Sequence, residues 1–322
     1  MKNDGHKILT RRFDLYLLNQ FITLMFDKSE ILNVSDLINN TLTLCSENPE
    51  ASRWYRIILD GQIGLPNHMK NIADSLSSLG FSVAELFFRL DSQGLVGSGG
   101  GVFKPIFEVG LTVDPVLGVP YYPGSGIKGA VRGLTSELYG EDVEKILFGH
   151  SAGEKGSVGH AFFSDMYPVG CSRDECSIFR GLVVNPHYYK GGEPVEDELQ
   201  VKTNPVVHIG VSEGLVFGLV IGTRPVSDKS RRKKLAEMLQ NPRFGDDNDM
   251  EVPGIIKKLA SSDNLDLTTI ISLLTMETLS KGIAARSNKG YNVFTPVETF
   301  NHQFRIVGYR IRTSSTRGGR SG

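Results

Sequence analysis

The segment YYPGSGIKGAVRG combines clustered glycines with two basic side chains. Its glycines have the spacing G-x-G-x-x-G: Gly124, Gly126 and Gly129. That spacing occurs in loops that bind the pyrophosphate of dinucleotides. Lys128 and Arg132 are four residues apart, so in a helix they project from one side. The segment could therefore bind a phosphorylated molecule, and the surrounding residues decide which kind.

A dinucleotide cofactor does not fit the residues around these glycines. The motif requires a hydrophobic strand before the first glycine and an acidic residue at the end of a second strand about 20 positions later. Here the approach is VPYYPG, in which Pro120 and Pro123 disfavour a buried strand. The later segment EKILFGHSAG is not a strand ending in an acid. A P-loop also fails, because Lys128 precedes Gly129 instead of following it. We expect no cofactor.

An anion site at the start of a helix fits the segment better. Apolar residues recur at helical spacing and predict a helix over residues 126–139: Ile127, Ala130, Val131, Leu134 and Leu138. Ser125 and Gly126 would leave backbone N–H groups open at its N-terminus, where anions are favoured. With Lys128 and Arg132 beside them, these groups suit the phosphodiester backbone of RNA. The alternative is an ordinary helix with solvated charges.

Composition limits how such binding could work. The chain has 322 residues, 40% of them hydrophobic and 22% charged, and a net charge of −1, which excludes a protein that is basic throughout. Nucleic-acid binding would thus depend on local patches. Three cysteines without zinc-ligand spacing indicate a reducing, cytoplasmic setting and no metal site. The apolar run LYLLNQFITLMF is too short for a membrane span, so we expect no membrane partner.

Hydrophobic periodicity divides the chain into three regions. Residues 1–93 are predicted to be mainly helical, including a helix from Asn67 that Gly80 ends. A glycine-rich boundary follows, and residues 94–312 mix helices with short strands, which favours an α+β fold with an antiparallel sheet. Residues 313–322 are predicted to be a disordered basic tail. Further predicted helices cover 228–240 and 267–280, and predicted strands cover 106–113, 159–165, 178–185, 206–223 and 304–312. Two charged segments are predicted to be inserted loops: 188–205 and 244–254.

Further basic groups lie outside the first glycine segment. Lys281, Arg286 and Lys289 place three positive charges within nine residues, and we predict that they bind RNA together with Lys128 and Arg132. The segment KSRRKK at 229–234 occupies the first turns of a predicted helix, where cations oppose the macrodipole. An anionic partner and simple solvation are equal alternatives for it.

Aromatic and histidine side chains offer two other hypotheses. Phe103, Tyr121 and Tyr122 could stack on bases, although packing is the commoner role for such residues. An acid/base set that cleaves RNA could be assembled from four residues: His160, Asp165, His187 and His208. Two of the histidines, however, alternate with apolar neighbours on predicted strands, as structural histidines do. We therefore expect no catalytic residues.

Four segments, in order along the chain, resemble the signatures of a known family. GVPYYPGSGIKGAVRG is similar to the G-hP-Y-I-P-G-S-S-h-K-G-A-h-R signature of the RAMP superfamily of CRISPR effector subunits, with Gly126 in place of a serine. GHAFFSDMYP, LVVNPHYYKG and GIAARSNKGYNVF resemble three further elements of that family. The last of these is a glycine-rich loop that here has Ala284 and Asn292 at two glycine positions. Within the superfamily, the combination most resembles the sixth-subunit family of the type III-B Cmr complex.

The resemblance covers roughly residues 94–312 and carries specific expectations. It implies a ferredoxin-like, RRM-related core and a backbone subunit that holds the 3′ part of crRNA. It also implies crRNA, target RNA and other Cmr backbone subunits as partners. Some relatives process repeat RNA through histidine chemistry, so a crRNA-processing endoribonuclease is the alternative function. The predicted RNA-binding residues are eight: Gly124, Ser125, Gly126, Lys128, Arg132, Lys281, Arg286 and Lys289.

Overall fold

The fold was analysed in a computed structural model. It describes residues 65–97, 110–114, 119–151, 156–172, 178–184, 189–190, 193–194, 206–243, 251–261, 265–300, 303–306 and 310–312. The helices are α1 (Leu65–Ser78), α2 (Gly124–Tyr139), α3 (Glu141–Phe148), α4 (Lys229–Leu239), α5 (Glu251–Ala260) and α6 (Leu267–Ser280), with a 3-10 turn at Ser287–Lys289. The longer strands are β1 (Ser82–Leu90), β5 (Tyr167–Cys171), β6 (Phe179–Val184), β9 (Val206–Val211), β10 (Leu215–Thr223) and β11 (Phe294–Phe300). The shorter strands are β2 (Gly149–His150), β3 (Ser157–Val158), β4 (Ala161–Phe163), β7 (Tyr189–Lys190), β8 (Glu193–Pro194), β12 (Gln303–Ile306) and β13 (Arg310–Arg312).

An antiparallel sheet forms the centre of the protein. Its strands follow the spatial order β12-β11-β1-β10-β4, while β13 also pairs with β1 and β5 also pairs with β10. The β1–β10 register runs from the Ser82–Thr223 pair to the Arg89–Val216 pair. Leu90 pairs with Phe294 on the other side of β1. The sheet therefore has two well-defined ends, one at Ser82 and Thr223 and the other at Leu90 and Phe294.

The chain passes through this sheet in the order of a ferredoxin-like fold. After β1 comes α2, then the neighbouring strands β4 and β5, then β10, α6 and β11. This is the strand–helix–strand–strand–helix–strand sequence of that fold. The predicted α+β class with an antiparallel, ferredoxin-like core is confirmed.

Both faces of the sheet are covered, because its strands alternate between two apolar clusters. On β1, Ala84, Leu86, Phe88 and Leu90 belong to the larger cluster, which includes α2 and α6. Val83 points to the other face, where Met69, Ala73 and Leu76 of α1 pack. At Gly218 of β10 a Cβ atom would lie 2.0 Å from the sulfur of Met69, so the glycine permits this close packing.

Three helices predicted from the sequence are confirmed with small shifts at their ends. They are α2, α4 and α6, and Asp266 begins α6 by accepting hydrogen bonds from the N–H groups of Thr268 and Thr269. The helix predicted from Asn67 is α1, and Gly80 follows it with φ of 80°. Helix α3 was not predicted. Helix α5 was missed because Pro253 and Gly254 fall in its first turn, where a proline costs no hydrogen bond.

Two sequence-based boundaries require correction. Residues 1–93 were predicted to be mainly helical, but 82–90 form β1, whose alternation of buried residues is strand-like. Since β1 pairs with β10, β11 and β13, the sheet crosses the predicted boundary at residue 93. The predicted loop 244–254 ends inside α5, which begins at Glu251.

The other predicted strands agree with the structure to different extents. Segment 206–223 was predicted as one strand but forms β9 and β10, separated by a turn at Glu213 and Gly214. Segments 159–165 and 178–185 contain β4 and β6, and segment 304–312 covers β13 and all but the first residue of β12. Half of the 106–113 segment, residues 106–109, lies outside the described residues, as do residues 1–64, 195–205 and the 313–322 tail. Among the helices that the structure describes, none has the length and apolar character that a membrane crossing requires.

Candidate nucleic-acid interface

Helix α2 begins where the first glycine segment packs against the loop after β4. Gly124 is buried there, and its backbone N–H donates a hydrogen bond of 2.7 Å to Oδ1 of Asp165. A Cβ atom at this position would lie 2.4 Å from the carbonyl oxygen of Ser164. Only glycine permits this approach, so Gly124 fixes the start of α2 and does not offer its N–H group to a ligand.

The next two residues are more open. Ser125 and Gly126 are exposed, and the N–H of Gly126 donates to the carbonyl of Pro123 at 2.9 Å. Within the described part of the chain, the N–H of Ser125 has no hydrogen-bond partner. One of the two N–H groups expected to be open is thus open. A carboxylate, that of Asp165, already lies at this helix terminus.

Lys128 lies one turn into α2, against the edge strand of the sheet. Its Nζ donates a hydrogen bond of 3.1 Å to the carbonyl oxygen of Ala161 in β4. Partial burial lowers the pKa of Lys128, and the positive charge of Arg132 lowers it further. The ammonium group can donate three hydrogen bonds, and this contact uses one of them. Lys128 therefore covers the edge of β4 and can still meet an anion.

Arg132 has a structural partner that the sequence did not reveal. Its guanidinium forms an ion pair with the carboxylate of Glu144 in α3. The side chain of Glu144 is only 7% exposed, whereas that of Arg132 is 45% exposed. The arginine thus balances a buried charge while keeping part of its surface in solvent.

The tyrosines beside the first glycine segment have different environments. Tyr122 is 1% exposed, and its ring packs edge-to-face against Phe217 and Phe294. It cannot stack on a base, so packing is its role. Tyr121 is half-buried and stacks on Tyr167 with ring centroids 5.4 Å apart. Phe103 lies outside the described residues.

The second glycine-rich loop follows α6 and retains a left-handed backbone without all of its glycines. Gly282 and Gly290 have φ of 86° and 80°. Ala284, Arg286 and Asn292 have φ of 61°, 62° and 58°. Left-handed φ values are uncommon for residues other than glycine, asparagine and aspartate, so the surrounding structure must hold this loop in place.

The buried side chain of Asn292 is the centre of that support. Its Oδ1 accepts hydrogen bonds from the N–H of Leu95 at 2.7 Å and from the hydroxyl of Tyr122 at 2.8 Å. Its Nδ2 donates to the carbonyls of Leu95 at 3.0 Å and Ala285 at 2.8 Å. One amide therefore ties the loop to the segment after β1 and to the residue two positions before Gly124.

The three predicted basic residues of this loop are not equivalent. Nζ of Lys281 pairs with Oε1 of Glu277 at 3.1 Å, one turn back in α6. Arg286 and Lys289 are exposed, and neither side chain has an ion-pair partner among the described residues. Arg286 and Lys289 are consequently the cations of this loop that are open to an anion.

The structure places the two basic groups at opposite ends of the sheet. Ala161, the partner of Lys128, pairs with Thr223 at one end of β10. At the other end the N–H of Asp91 donates to the carbonyl of Val293, which closes the second glycine loop. Nine residues of β10 separate these ends, or roughly 26 Å. A ligand that touches both groups must therefore be long.

The candidate acid/base residues are not brought together. Nδ1 of His160 lies 3.1 Å from the carbonyl oxygen of Arg224, at the Thr223 end of the sheet. His208 is buried in β9, which continues to Val211 and its bridge with Gly94 at the opposite end. Asp165 is bound to Gly124, and His187 lies outside the described residues.

Comparison with known proteins decides the family. The family model of the RAMP superfamily matches residues 88–291, which is more than half of the chain. The chain belongs to the RAMP superfamily. The match begins inside β1 and ends next to Asn292, so it contains the first glycine-rich segment of this RAMP chain and residues 282–291 of the second.

Individual proteins and solved structures are similar to this chain. The CRISPR system CMR subunit Cmr6 of Saccharolobus solfataricus is 29% identical over 154 residues, which cover 48% of this chain and 50% of that protein. The chain therefore aligns with about half the length of this curated relative. A structure of the Type III-B Cmr-beta complex bound to cognate target RNA contains a similar fold, with a TM-score of 0.55, 19% identity, and coverage of 97% of this chain and 94% of that one. The crystal structure of Cmr6 from Pyrococcus furiosus matches with a TM-score of 0.34, 17% identity, and coverage of 66% of this chain and 97% of that one.

Sequence reasoning missed the contacts of three residues that position these RAMP segments: Asp165, Glu144 and Asn292. Asp165 lies in the FFSD part of the second family-like segment, which was a signal that it contributes to the site. Glu144 is one of several acids in α3, and nothing in the sequence marks it as the buried one. Asn292 was noted as a replaced glycine, but its hydrogen bonds required the tertiary structure.

Proposed function

We propose that the chain is a non-catalytic, RNA-binding backbone subunit of a type III-B CRISPR ribonucleoprotein. The observation that carries this proposal is the similarity to Cmr6 of Saccharolobus solfataricus within a chain that belongs to the RAMP superfamily. In this role the protein holds the 3′ part of crRNA and contacts neighbouring Cmr backbone subunits and the target RNA.

The site supports an RNA strand as the ligand. Ser125 presents an open N–H group and Lys128 an ammonium at one end of the sheet, with the exposed Gly126 between them, and Arg132 adds the exposed part of its side chain. Arg286 and Lys289 present cations at the other end, with Lys281 beside them. Single-stranded RNA carries a phosphate at each nucleotide and can follow a surface of this length. Gly124 contributes by allowing α2 to begin close to β4.

The arrangement of the described candidate acids and bases supports a non-catalytic role. His160 and Asp165 each bind a backbone group, and His208 is buried near the opposite end of the sheet. General acid/base cleavage requires the two groups within hydrogen-bond reach of one substrate. The described residues do not provide that geometry.

Reconstitution tests this function. The purified chain is mixed with the other Cmr subunits of the same organism and a crRNA, and the assembled particle is analysed by size-exclusion chromatography. We expect the chain to co-elute with the particle and its RNA, and a cross-linkable crRNA to label the chain near the 3′ end. Assembly and crRNA retention that are equal with and without the chain would contradict the proposal. Site-specific cutting of repeat RNA by the chain alone would support the endoribonuclease instead.

A further inference from the structure

The first two turns of α4 have an unusual charge. Five of the six residues at 229–234 are basic, and no acid follows before Glu237. We call this set the α4 basic surface: Lys229, Arg231, Arg232, Lys233 and Lys234. Four of these side chains are exposed and Arg232 is half-buried. Within the described part of the chain, none of the five forms an ion pair.

These cations do not help the helix that carries them. The positive end of the helix macrodipole lies in the same first turns, and the cations also repel one another. Asp228 offsets part of this cost, since its Oδ1 accepts hydrogen bonds from the N–H groups of Ser230 at 2.8 Å and Arg231 at 3.3 Å. The residues of α4 that pack against the core are the buried Leu235 and Leu239 and the partly buried Met238, and none of them is charged. The positive charge therefore has no structural purpose in this helix.

The position of α4 connects this surface to Lys128. The N–H of Arg224 donates to the carbonyl of His160 at 2.9 Å, and His160 precedes Ala161, which binds the Lys128 ammonium. From Arg224 to Lys229 the chain advances five residues, which can span at most about 18 Å. The α4 basic surface thus begins at Lys229 within about 18 Å of Arg224, at the same end of the sheet as Ala161 and Lys128.

We propose that the α4 basic surface binds the phosphate backbone of the same RNA strand that Lys128 contacts. This inference rests on the proposed function and extends the RNA path beyond the two glycine-rich segments. Helical geometry directs the cations over a wide arc, because successive residues turn by about 100°. A flexible phosphate chain can follow such an arc and neutralise the charge that the helix itself opposes.

Salt dependence of RNA binding by the full-length chain tests the proposal, with a labelled single-stranded RNA of about 20 nucleotides as the probe. Each phosphate contact to a single strand contributes about 0.7 to the slope of log affinity against log salt. We expect Lys233→Gln/Lys234→Gln to lower the slope by about 1.4 units. The four-fold change that adds Lys229→Gln and Arg231→Gln should lower it by about 2.8 units and the affinity at least about tenfold at low salt.

A matched control is available in α5. Lys257 and Lys258 are also adjacent, exposed lysines, but they lie in the last turn of their helix, where cations are favourable. Lys257→Gln/Lys258→Gln removes the same net charge and should leave the slope unchanged. All the α4 variants should unfold at the same or higher denaturant concentration than the natural chain, because they remove repulsion from a helix start.

The outcomes separate this proposal from the function on which it rests. If the natural chain does not bind RNA, the proposed function fails. If Lys128→Gln weakens binding while the α4 variants bind like the natural chain, only the present inference fails. An equal loss of RNA affinity in the α5 control would show that the effect depends only on net charge, which would overturn the inference. Unchanged RNA affinity with weakened assembly would make the surface a contact for an acidic protein, which also overturns it.

Discussion

The hydroxyl of Tyr122 donates a hydrogen bond of 2.8 Å to Oδ1 of Asn292, although 170 residues separate them in the chain. This bond joins the segment that begins α2 to the glycine-rich loop that follows α6. Two of the four family-like segments of the sequence are thus joined by one buried contact. It lies between two basic groups that occupy opposite ends of the sheet, so it helps to fix their relative position.

Removing the hydroxyl of Tyr122 should destabilise the protein, although Oδ1 of Asn292 keeps another hydrogen-bond donor. In Tyr122→Phe, Oδ1 of Asn292 still accepts from the N–H of Leu95, so the expected loss in the free energy of unfolding is about 0.5–1.5 kcal/mol. Urea unfolding followed by circular dichroism measures it. Tyr121→Phe is the control, since that hydroxyl has no hydrogen-bond partner in the described structure and should change stability by less than about 0.5 kcal/mol. Equal losses in both variants would contradict the role of the bond.

In the left-handed loop after α6, glycine should stabilise the fold at least as well as alanine, which is the reverse of their order in a helix. Ala284 has φ of 61° and is exposed, so Ala284→Gly relieves backbone strain that offsets the entropy glycine adds to the unfolded chain. We expect a change between zero and about 1 kcal/mol of stabilisation. Ala236→Gly in α4 should instead cost about 0.5–1 kcal/mol, as in other helix interiors. Thermal unfolding of the two variants measures the difference. A similar loss in both would show that the loop does not hold Ala284 in a left-handed conformation in solution.

The sequence predicted the elements of the fold better than it predicted which groups the site residues contact. A stripe of apolar residues at helical spacing predicted α2 to within two residues, and the predicted bounds of α6 agree with the structure. Strand β1 was missed because α1 covers its second face, so the apolar Val83 and Phe87 occupy positions there and interrupt the polar–apolar alternation of a half-exposed strand. The Arg132–Glu144 pair depends on the angle between α2 and α3, and no local pattern encodes that angle.

That ion pair predicts different consequences for the two basic residues of α2. Arg132→Ala leaves the buried carboxylate of Glu144 without its cation, which should cost about 1–3 kcal/mol in the free energy of unfolding. Lys128→Gln should cost less than about 1 kcal/mol, because an amide can still donate to Ala161. Adding Glu144→Gln to Arg132→Ala should restore most of the loss, as measured by denaturant unfolding. If the second change restores nothing, Arg132 stabilises the protein by its packing alone.

The lowered pKa of Lys128 predicts that stability and RNA affinity change with pH in opposite directions. In the folded state the ammonium loses its proton below the usual value of 10.5, because it is partly desolvated and lies near Arg132. The unfolded chain binds more protons between the two pKa values, so stability rises with pH in that interval. RNA affinity should fall as the pH rises through the folded pKa, because the cation is lost. Lys128→Arg keeps its charge, so its affinity should persist to higher pH in a filter-binding series. If the RNA affinity of Lys128→Arg falls with pH as it does in the natural chain, the contact between Lys128 and RNA is contradicted.

The carboxylate of Asp165 at the start of α2 should stabilise the protein and weaken RNA binding. Its charge complements the positive end of the helix macrodipole and its Oδ1 accepts the N–H of Gly124, but the same charge repels a phosphate approaching Ser125. Asp165→Asn keeps an acceptor oxygen and removes the charge. We expect the free energy of unfolding to fall by about 0.3–1 kcal/mol and RNA affinity at low salt to rise a few-fold, by roughly 1 kcal/mol or less.

The matched control for Asp165→Asn is Asp74→Asn in α1, which makes the same change in net charge on the helix that covers the other face of the sheet. Its RNA affinity should stay close to that of the natural chain. Denaturant unfolding and filter binding on the three proteins give both quantities. If Asp165→Asn weakens RNA binding while remaining folded, the carboxylate assists the site instead of competing with phosphate. In that case the open N–H of Ser125 is not where the RNA backbone approaches α2.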